Sequence, residues 1–165
     1  MEEALFEGGL PDDRFPEDKF LNPIEARKKA MDYLARREYG RTELIDKLTR
    51  FGFDADIADV AVAQLVEDNL QSDERFAEAF VASRINQGKG PVKIRTELRG
   101  RGIAGQIADS ALEAANHDWY AAARSVREKK FGLELPADFN EKARQMRFLQ
   151  SRGFDSDHIQ SAVSA

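Results

Sequence analysis

The sequence predicts an all-α protein made of three tandem three-helix, helix-turn-helix-like repeats forming an elongated, curved array. Three observations carry that prediction. The first is self-similarity: sliding the chain by fifty residues superposes Gly40 on Gly90, Leu44 on Ile94, Leu48 on Leu98, Gly52 on Gly102, Ile57 on Ile107, Ala61 on Ala111 and Val62 on Leu112. A further step of fifty-one reaches Leu149, Gly153, Phe154, Ala162 and Val163. Such a period marks stacked supersecondary units, each too small to bury its apolar face alone. The second observation is that apolar residues recur at helical steps within each unit, with no convincing strand alternation. The third is punctuation, since glycine and proline fall where helices stop and start.

The first helix start is signalled by Asn22-Pro23-Ile24-Glu25, an Asn cap with Pro at the first helical position and Glu at the third. Ala26, Ala30 or Met31, and Leu34 then recur at helical spacing. A second helix runs from about Arg41 to Phe51 with Leu44 and Leu48 on one face, and Gly52 stands where a left-handed cap is expected. Asp54 caps a third, whose inward set is read as Ile57, Val60, Ala61 and Leu65. The second unit opens at Ser72-Asp73-Glu74, with Phe76, Ala79, Phe80 and Ser83 read as inward, and breaks at Gly88-Lys89-Gly90-Pro91. Ile94 and Leu98 carry its second helix, and Ile107, Ala108, Ala111, Leu112 and Ala115 its third. The last unit begins near Asp118-Trp119, with Ala122, Ala123 and Val126 inward, and breaks from Phe131-Gly132 through Pro136. It resumes with Ala143, Met146 and Leu149 and finishes with Ile159, Ala162 and Val163. The expected boundaries are therefore an acidic, mobile extension over 1–21 and repeats over 22–70, 71–116 and 117–165. Three stacked units would span roughly 50 to 60 Å, against about 40 Å for a compact sphere of this length.

Composition bounds the function. The 165 residues are 42% hydrophobic and 33% charged, which supports a sizeable folded body. No apolar run approaches the ~18 residues of a membrane span, and the N-terminus has no basic start followed by an apolar stretch, so a cytoplasmic protein without membrane contact is expected. There is no cysteine, and a soft-metal site has only His117 and His158 to draw on. The net charge of −5 is unevenly spread, because residues 1–25 hold eight acids and two bases. From Asp54 to Glu78 there are eight acids and one base, whereas Arg84 to Arg101 holds six bases and one acid. The repeats are thus polarised into zones that can face different partner surfaces.

No enzyme is expected. Gly88-Lys89-Gly90 lacks the spacing of a phosphate-binding loop and reads as a helix-breaking linker. His117 falls at a helix junction, His158 stands at the position of apolar Ile57, and acid pairs such as Glu67-Asp68 and Asp73-Glu74 sit at helix ends, where they serve caps and dipoles. No nucleophile, base and orienting group share a motif, so no catalytic residue, metal or cofactor is assigned. The basic residues are the functional candidates. Lys93, Arg95, Arg99 and Arg101 lie off the Ile94/Leu98 face, and Arg37, Arg41, Lys47, Arg50, Arg84, Lys89, Lys129, Lys130, Arg144, Arg147 and Arg152 extend the set. Arg36, Arg124 and Arg127 follow the same pattern. Aligned, they make a positive track suited to phosphates or an acidic protein surface. Exterior aromatics are few, so base stacking has little support.

The segment Arg37-Glu38-Tyr39-Gly40-Arg41-Thr42-Glu43-Leu44-Ile45-Asp46-Lys47-Leu48, followed by Gly52-Phe53, resembles the RecX family of bacterial recombination regulators. The resemblance continues through Leu70, Asp73, Phe76, Ala77, Phe80 and Arg84, then Gly90 to Gly102, Lys130-Phe131-Gly132 and Arg152-Gly153-Phe154 with Ile159, covering roughly Ala26 to the C-terminus. Gly40 stands where the motif often has Ser, and the acidic leader lies outside it. The resemblance implies a cytoplasmic, all-α protein of three tandem three-helix repeats that binds the RecA recombinase filament on single-stranded DNA; a monomer without catalytic activity is expected. It further implies hindered filament extension, ATP hydrolysis, coprotease activity and strand exchange. The competing reading of the residues is an autonomous helix-turn-helix DNA-binding protein or transcription factor. A third is a helical-repeat adaptor with no nucleic-acid link.

Overall fold

The computed structural model describes residues 16–165, and among these it holds nine α-helices and no strand. They are α1 (Pro23–Leu34), α2 (Arg41–Phe51), α3 (Ala55–Glu67), α4 (Asp73–Asn86), α5 (Pro91–Gly100), α6 (Gly105–Ala115), α7 (Trp119–Phe131), α8 (Phe139–Ser151) and α9 (Ser156–Ala162). The caps are those the sequence offers. Asn22 accepts from the Ile24 N–H at 2.9 Å, and Asp54, Asp118, Asp138 and Asp155 each accept from backbone N–H groups in the first turn of the helix that follows. The chain divides between Ser72 and Asp73 into two compact units, the first holding α1–α3 and the second α4–α9.

In the first unit, Ala26, Ala30, Tyr33, Tyr39, Leu44, Leu48, Phe53, Ala58, Ala61, Val62 and Leu65 form one core. Ala30 faces inward and Met31 is exposed; on α3 Ala58 is buried where Val60 was expected, and Val60 is 48% exposed. The expectation of an extension over 1–21 lies outside the described residues for 1–15. The remainder, Pro16–Leu21, is a 3₁₀ helix that sets Phe20 edge-on against Phe53 at 5.3 Å and Phe51 at 6.3 Å. The Asp54 N–H donates to the Phe20 carbonyl at 3.1 Å. Gly52, at φ 132°, makes room for that ring, since a β-carbon there would lie 2.9 Å from it.

In the second unit the two repeats have separate cores. Phe76, Ala77, Phe80, Val81, Ile94, Leu98, Ile103, Ala108, Ala111 and Leu112 fill one, and Ala123, Leu149, Phe154, Ile159, Ala162 and Val163 the other, with Trp119 packed against both. On α4 the inward face is rotated from the expected one. Ala77 and Val81 are buried, while Ala79 and Ser83 are exposed, because turning the helix by one position buries a valine in place of a serine. Ala115 is likewise exposed at the end of α6.

The two repeats are joined by backbone. The Gly90 N–H donates to the Arg152 carbonyl at 2.8 Å and the Val92 N–H to the Gly153 carbonyl at 2.9 Å. A β-carbon on Gly90 would overlap the Gly153 backbone, and one on Gly153, at φ 97°, would overlap Lys93. Gly90 is therefore more than the breaker the sequence suggests, since its missing side chain lets two repeats touch.

Arg127 corrects the sequence reading. Grouped there with the surface bases, it is 1% exposed on the inner face of α7. Its guanidinium donates to the carbonyls of Glu134 at 3.0 Å, Gly132 at 3.4 Å and Leu133 at 3.4 Å, and to Gln145 Oε1 at 3.5 Å. This pins the α7–α8 loop, which carries Leu133 at 79% exposure.

Candidate interaction surface

In the first repeat, two of the four candidate cations, Arg37 and Lys47, sit on aromatic rings. Arg37 lies 3.6 Å from the Tyr39 centroid, donates to both Glu43 carboxylate oxygens at 3.2 Å and reaches the Glu38 carbonyl at 2.8 Å. Lys47 is poised over Tyr33 and Tyr39 at 4.9 and 5.6 Å, and Lys29 lies 4.2 Å over Phe51. Arg50 pairs with Asp46 at 3.0 Å and Arg41 with Asp59 at 3.9 Å. Arg37, Lys47 and Arg50 line one hollow of about 460 Å³ together with Tyr33, Tyr39 and Phe51. The sequence reading missed this ring-backed cluster. Its signal was the four-residue spacing of Lys29 to Tyr33, which puts base and ring on one helix face and brings the Lys29 ammonium 5.2 Å from the Tyr33 centroid.

In the second repeat, Ile94 and Leu98 are fully buried as expected, and the bases around them have separate surroundings. Arg84 and Lys89 converge on Glu97 at 2.8 and 3.0 Å. Partial burial pulls the Glu97 carboxyl upward, but hydrogen bonds and charge from Arg84 and Lys89 outweigh it and hold the group below its ordinary value of 4.5. Arg84 and Arg101 lie 4.0 and 5.0 Å from the Phe80 centroid, and Arg95 holds Asp109 at 2.8 Å. Lys93 donates to the Ser151 carbonyl at 3.4 Å. Arg99 is exposed, with no carboxylate of the described residues in ion-pair range.

In the third repeat, Lys129, Lys130 and Arg152 line a groove of about 810 Å³ that runs to Gln87 and Gly88 of the second. Its one lining carboxylate, Asp118, caps α7. Lys129 and Lys130 have no carboxylate of the described residues in ion-pair range, and Lys130 sits 5.5 Å over Phe148. Arg152 donates to the Gln87 carbonyl, while its buried Nε finds no partner among the described residues. Arg144 pairs with Glu141 at 2.9 Å and lies 5.0 Å over Phe131, and Arg147 borders a second groove beside α8. The second unit thus gathers its candidate bases into local clusters, among them the Lys129–Lys130–Arg152 groove with three cations to one lining carboxylate.

The histidines make ring contacts, His117 with Trp119 and His158 with Tyr120, each at 4.8 Å. His158 is buried, its Nδ1 3.3 Å from the Asp155 carboxylate that caps α9. Among the described residues, no group of three or more His, Asp or Glu side chains is arranged to hold a metal ion, and no helix is long and apolar enough to cross a membrane.

Comparison with known proteins places the whole repeat body. Residues 26–65, 72–112 and 117–163 match the first, second and third three-helix domains of RecX. The Regulatory protein RecX of Halorhodospira halophila (strain DSM 244 / SL1) is 48% identical over 139 residues, 84% of this chain and 86% of that one. Its namesake in Ectopseudomonas mendocina (strain ymp) is 44% identical over 138 residues, covering 84% and 92%. The crystal structure of RecX from Lactobacillus salivarius shares the fold, with a TM-score of 0.72 at 24% identity over 88% of this chain and 95% of that one. A second crystal structure of a regulatory protein RecX has a TM-score of 0.73 at 20% identity, covering 96% and 80%. With all three domain types matched in order and relatives of this identity along most of its length, the chain belongs to the RecX family of regulatory proteins.

Proposed function

We propose that the chain is a non-enzymatic regulator that binds the RecA filament on single-stranded DNA and inhibits its extension, ATP hydrolysis, coprotease activity and strand exchange. The observation that carries this reading is the intact series of three RecX domains, each with bases on its surface. Of the candidate bases, Lys47, Arg99, Lys129, Lys130 and Arg147 meet no carboxylate within ion-pair distance among the described residues, so their charge is uncancelled locally and available to phosphates or acidic protein surface. Arg84, Lys89, Arg95 and Arg144 are held by carboxylates of the chain itself and contribute less attraction. Inhibition is energetic: a binder with higher affinity for one filament arrangement opposes the protomer movements that hydrolysis and exchange require. The test is RecA's DNA-dependent ATPase with and without the protein. Slowing at stoichiometric amounts supports the reading; an unchanged rate, with tight binding to particular duplexes in the absence of RecA, would instead identify an autonomous DNA-binding protein.

A further inference from the structure

The repeats offer an internal comparison. In the first, Arg41 on α2 faces Asp59 on α3 at 3.9 Å, and in the second, Arg95 on α5 holds Asp109 on α6 at 2.8 Å. Each pair ties the second helix of its repeat to the third. Asp59 and Asp109 occupy the same repeat position, and the next step of fifty-one reaches Gln160 on α9. The position of Arg95 becomes Met146, and that of Arg41 becomes Lys142. The third repeat has thus kept one cation and lost the carboxylate that would answer it. Neither Lys142 nor Arg147 has a carboxylate of the described residues within ion-pair distance.

Where the other repeats have a bridge, the third has an open groove of about 760 Å³. One wall is a single face of α8: Phe139, Lys142, Ala143, Met146, Arg147 and Gln150 follow the i, i+3, i+4 rhythm of one helix side. Phe139 is 82% exposed, an unusual position for a phenylalanine unless something covers it. Across from it, Ile159 continues the apolar floor beside Gln160. The one lining carboxylate, Asp155, is occupied in capping α9.

We propose that this groove docks an amphipathic acidic helix of a protein partner, apolar side chains against Phe139, Met146 and Ile159 and carboxylates on Lys142 and Arg147. The α8 face from 139 to 150 is roughly 17 Å long, about three helical turns of a ligand lying alongside. Two separated cations over an apolar floor match spaced carboxylates with apolar anchors better than a continuous phosphate chain. The inference goes beyond the recombinase reading and needs no filament for its test.

The probe is a fluorescein-labelled helix-forming peptide of about 12 residues, with Leu at i, i+4 and i+7 and Glu on the flanks, titrated into the full chain by anisotropy. Saturable binding is expected, about tenfold weaker for an analogue with Gln in place of every Glu and about fivefold weaker for Lys142→Gln. Combining Met146→Arg with Gln160→Asp rebuilds the bridge of the second repeat and should abolish binding with the melting temperature retained. The proposal is overturned if the acidic peptide fails to bind at about millimolar concentration, if the Gln analogue binds as well, or if the rebuilt variant still binds. It is also overturned if sedimentation shows self-association that the rebuilt variant dissolves, which would make the occupant a second copy. Displacement of the peptide from the wild-type groove by a labelled thymidine oligonucleotide whose own binding is lost in Lys142→Gln counts against it as well, since the occupant would then be nucleic acid.

Discussion

A guanidinium at 1% exposure whose closest carboxylate, Glu128, is 3.9 Å away has to be held by neutral acceptors, and Arg127 finds three carbonyls and an amide oxygen. Arg127→Met keeps most of the volume but leaves those acceptors without donors. We expect a loss of about 2 to 4 kcal/mol in urea unfolding, with faster amide exchange over 132–137. Glu97 carries a pH dependence whose sign follows from its depressed pKa. Ionised Glu97 stabilises the fold, so its contribution is complete above its ordinary value of 4.5 and lost as pH falls through the lower folded-state value. Glu97→Gln should cost about 1 kcal/mol at neutral pH, and the gap to wild type should close on acidification, as read from melting temperatures. Arg127 was only partly legible in the sequence. It stands four residues after inward Ala123, which places it on the buried face, but a base is assigned outward by default because burying one is unfavourable unless a loop folds back to receive it.

At the scale of elements, the contact of the α4–α5 turn with the end of α8 makes the clearest prediction. Gly90→Ala and Gly153→Ala each force a β-carbon into neighbouring chain, Gly153 with an unfavourable positive φ in addition. Each should destabilise by roughly 2 to 4 kcal/mol and expose the Gly90 and Val92 amides to exchange. Gly100→Ala is the matched control: a β-carbon there meets nothing within 4 Å, and replacing glycine at a helix end should be neutral or stabilising by up to about 1 kcal/mol. Helix existence and caps were readable, because Asn22, Asp54 and Gly52 act within one turn of where they stand. The facing of α4 was not, since Phe76 and Phe80 fit two adjacent stripes and the choice between Ala79/Ser83 and Ala77/Val81 depends on neighbouring helices.

For the molecule as a whole, the charge reading changes which variants are informative. Reversing Arg95 also strands Asp109, and reversing Arg101 disturbs the cation against Phe80, so both mix folding with binding. Arg99→Glu with Lys129→Glu reverses charge without breaking any ion pair or ring contact of the described residues, Lys130 being left in place over Phe148. We expect filament affinity to fall about ten- to a hundredfold with an unchanged circular dichroism spectrum, and the deficit to shrink as salt is raised. The three-fold repeat was legible because duplication leaves the same residues at the same step. The grouping of bases was not, since ion pairs such as Arg84 with Glu97 join positions thirteen apart that only folding brings together.

The two amides of the Gly90–Val92 turn find their acceptors beyond position 150, so a gene product cut short after α6 would retain a complete-looking pair of repeats yet present bare donors and a naked glycine seam to solvent. Swapping or deleting the last module is therefore not a neutral edit: whatever replaces it has to offer a left-handed glycine and two carbonyls at the same place, a requirement that restricts shuffling among paralogous units more than their shared outline suggests.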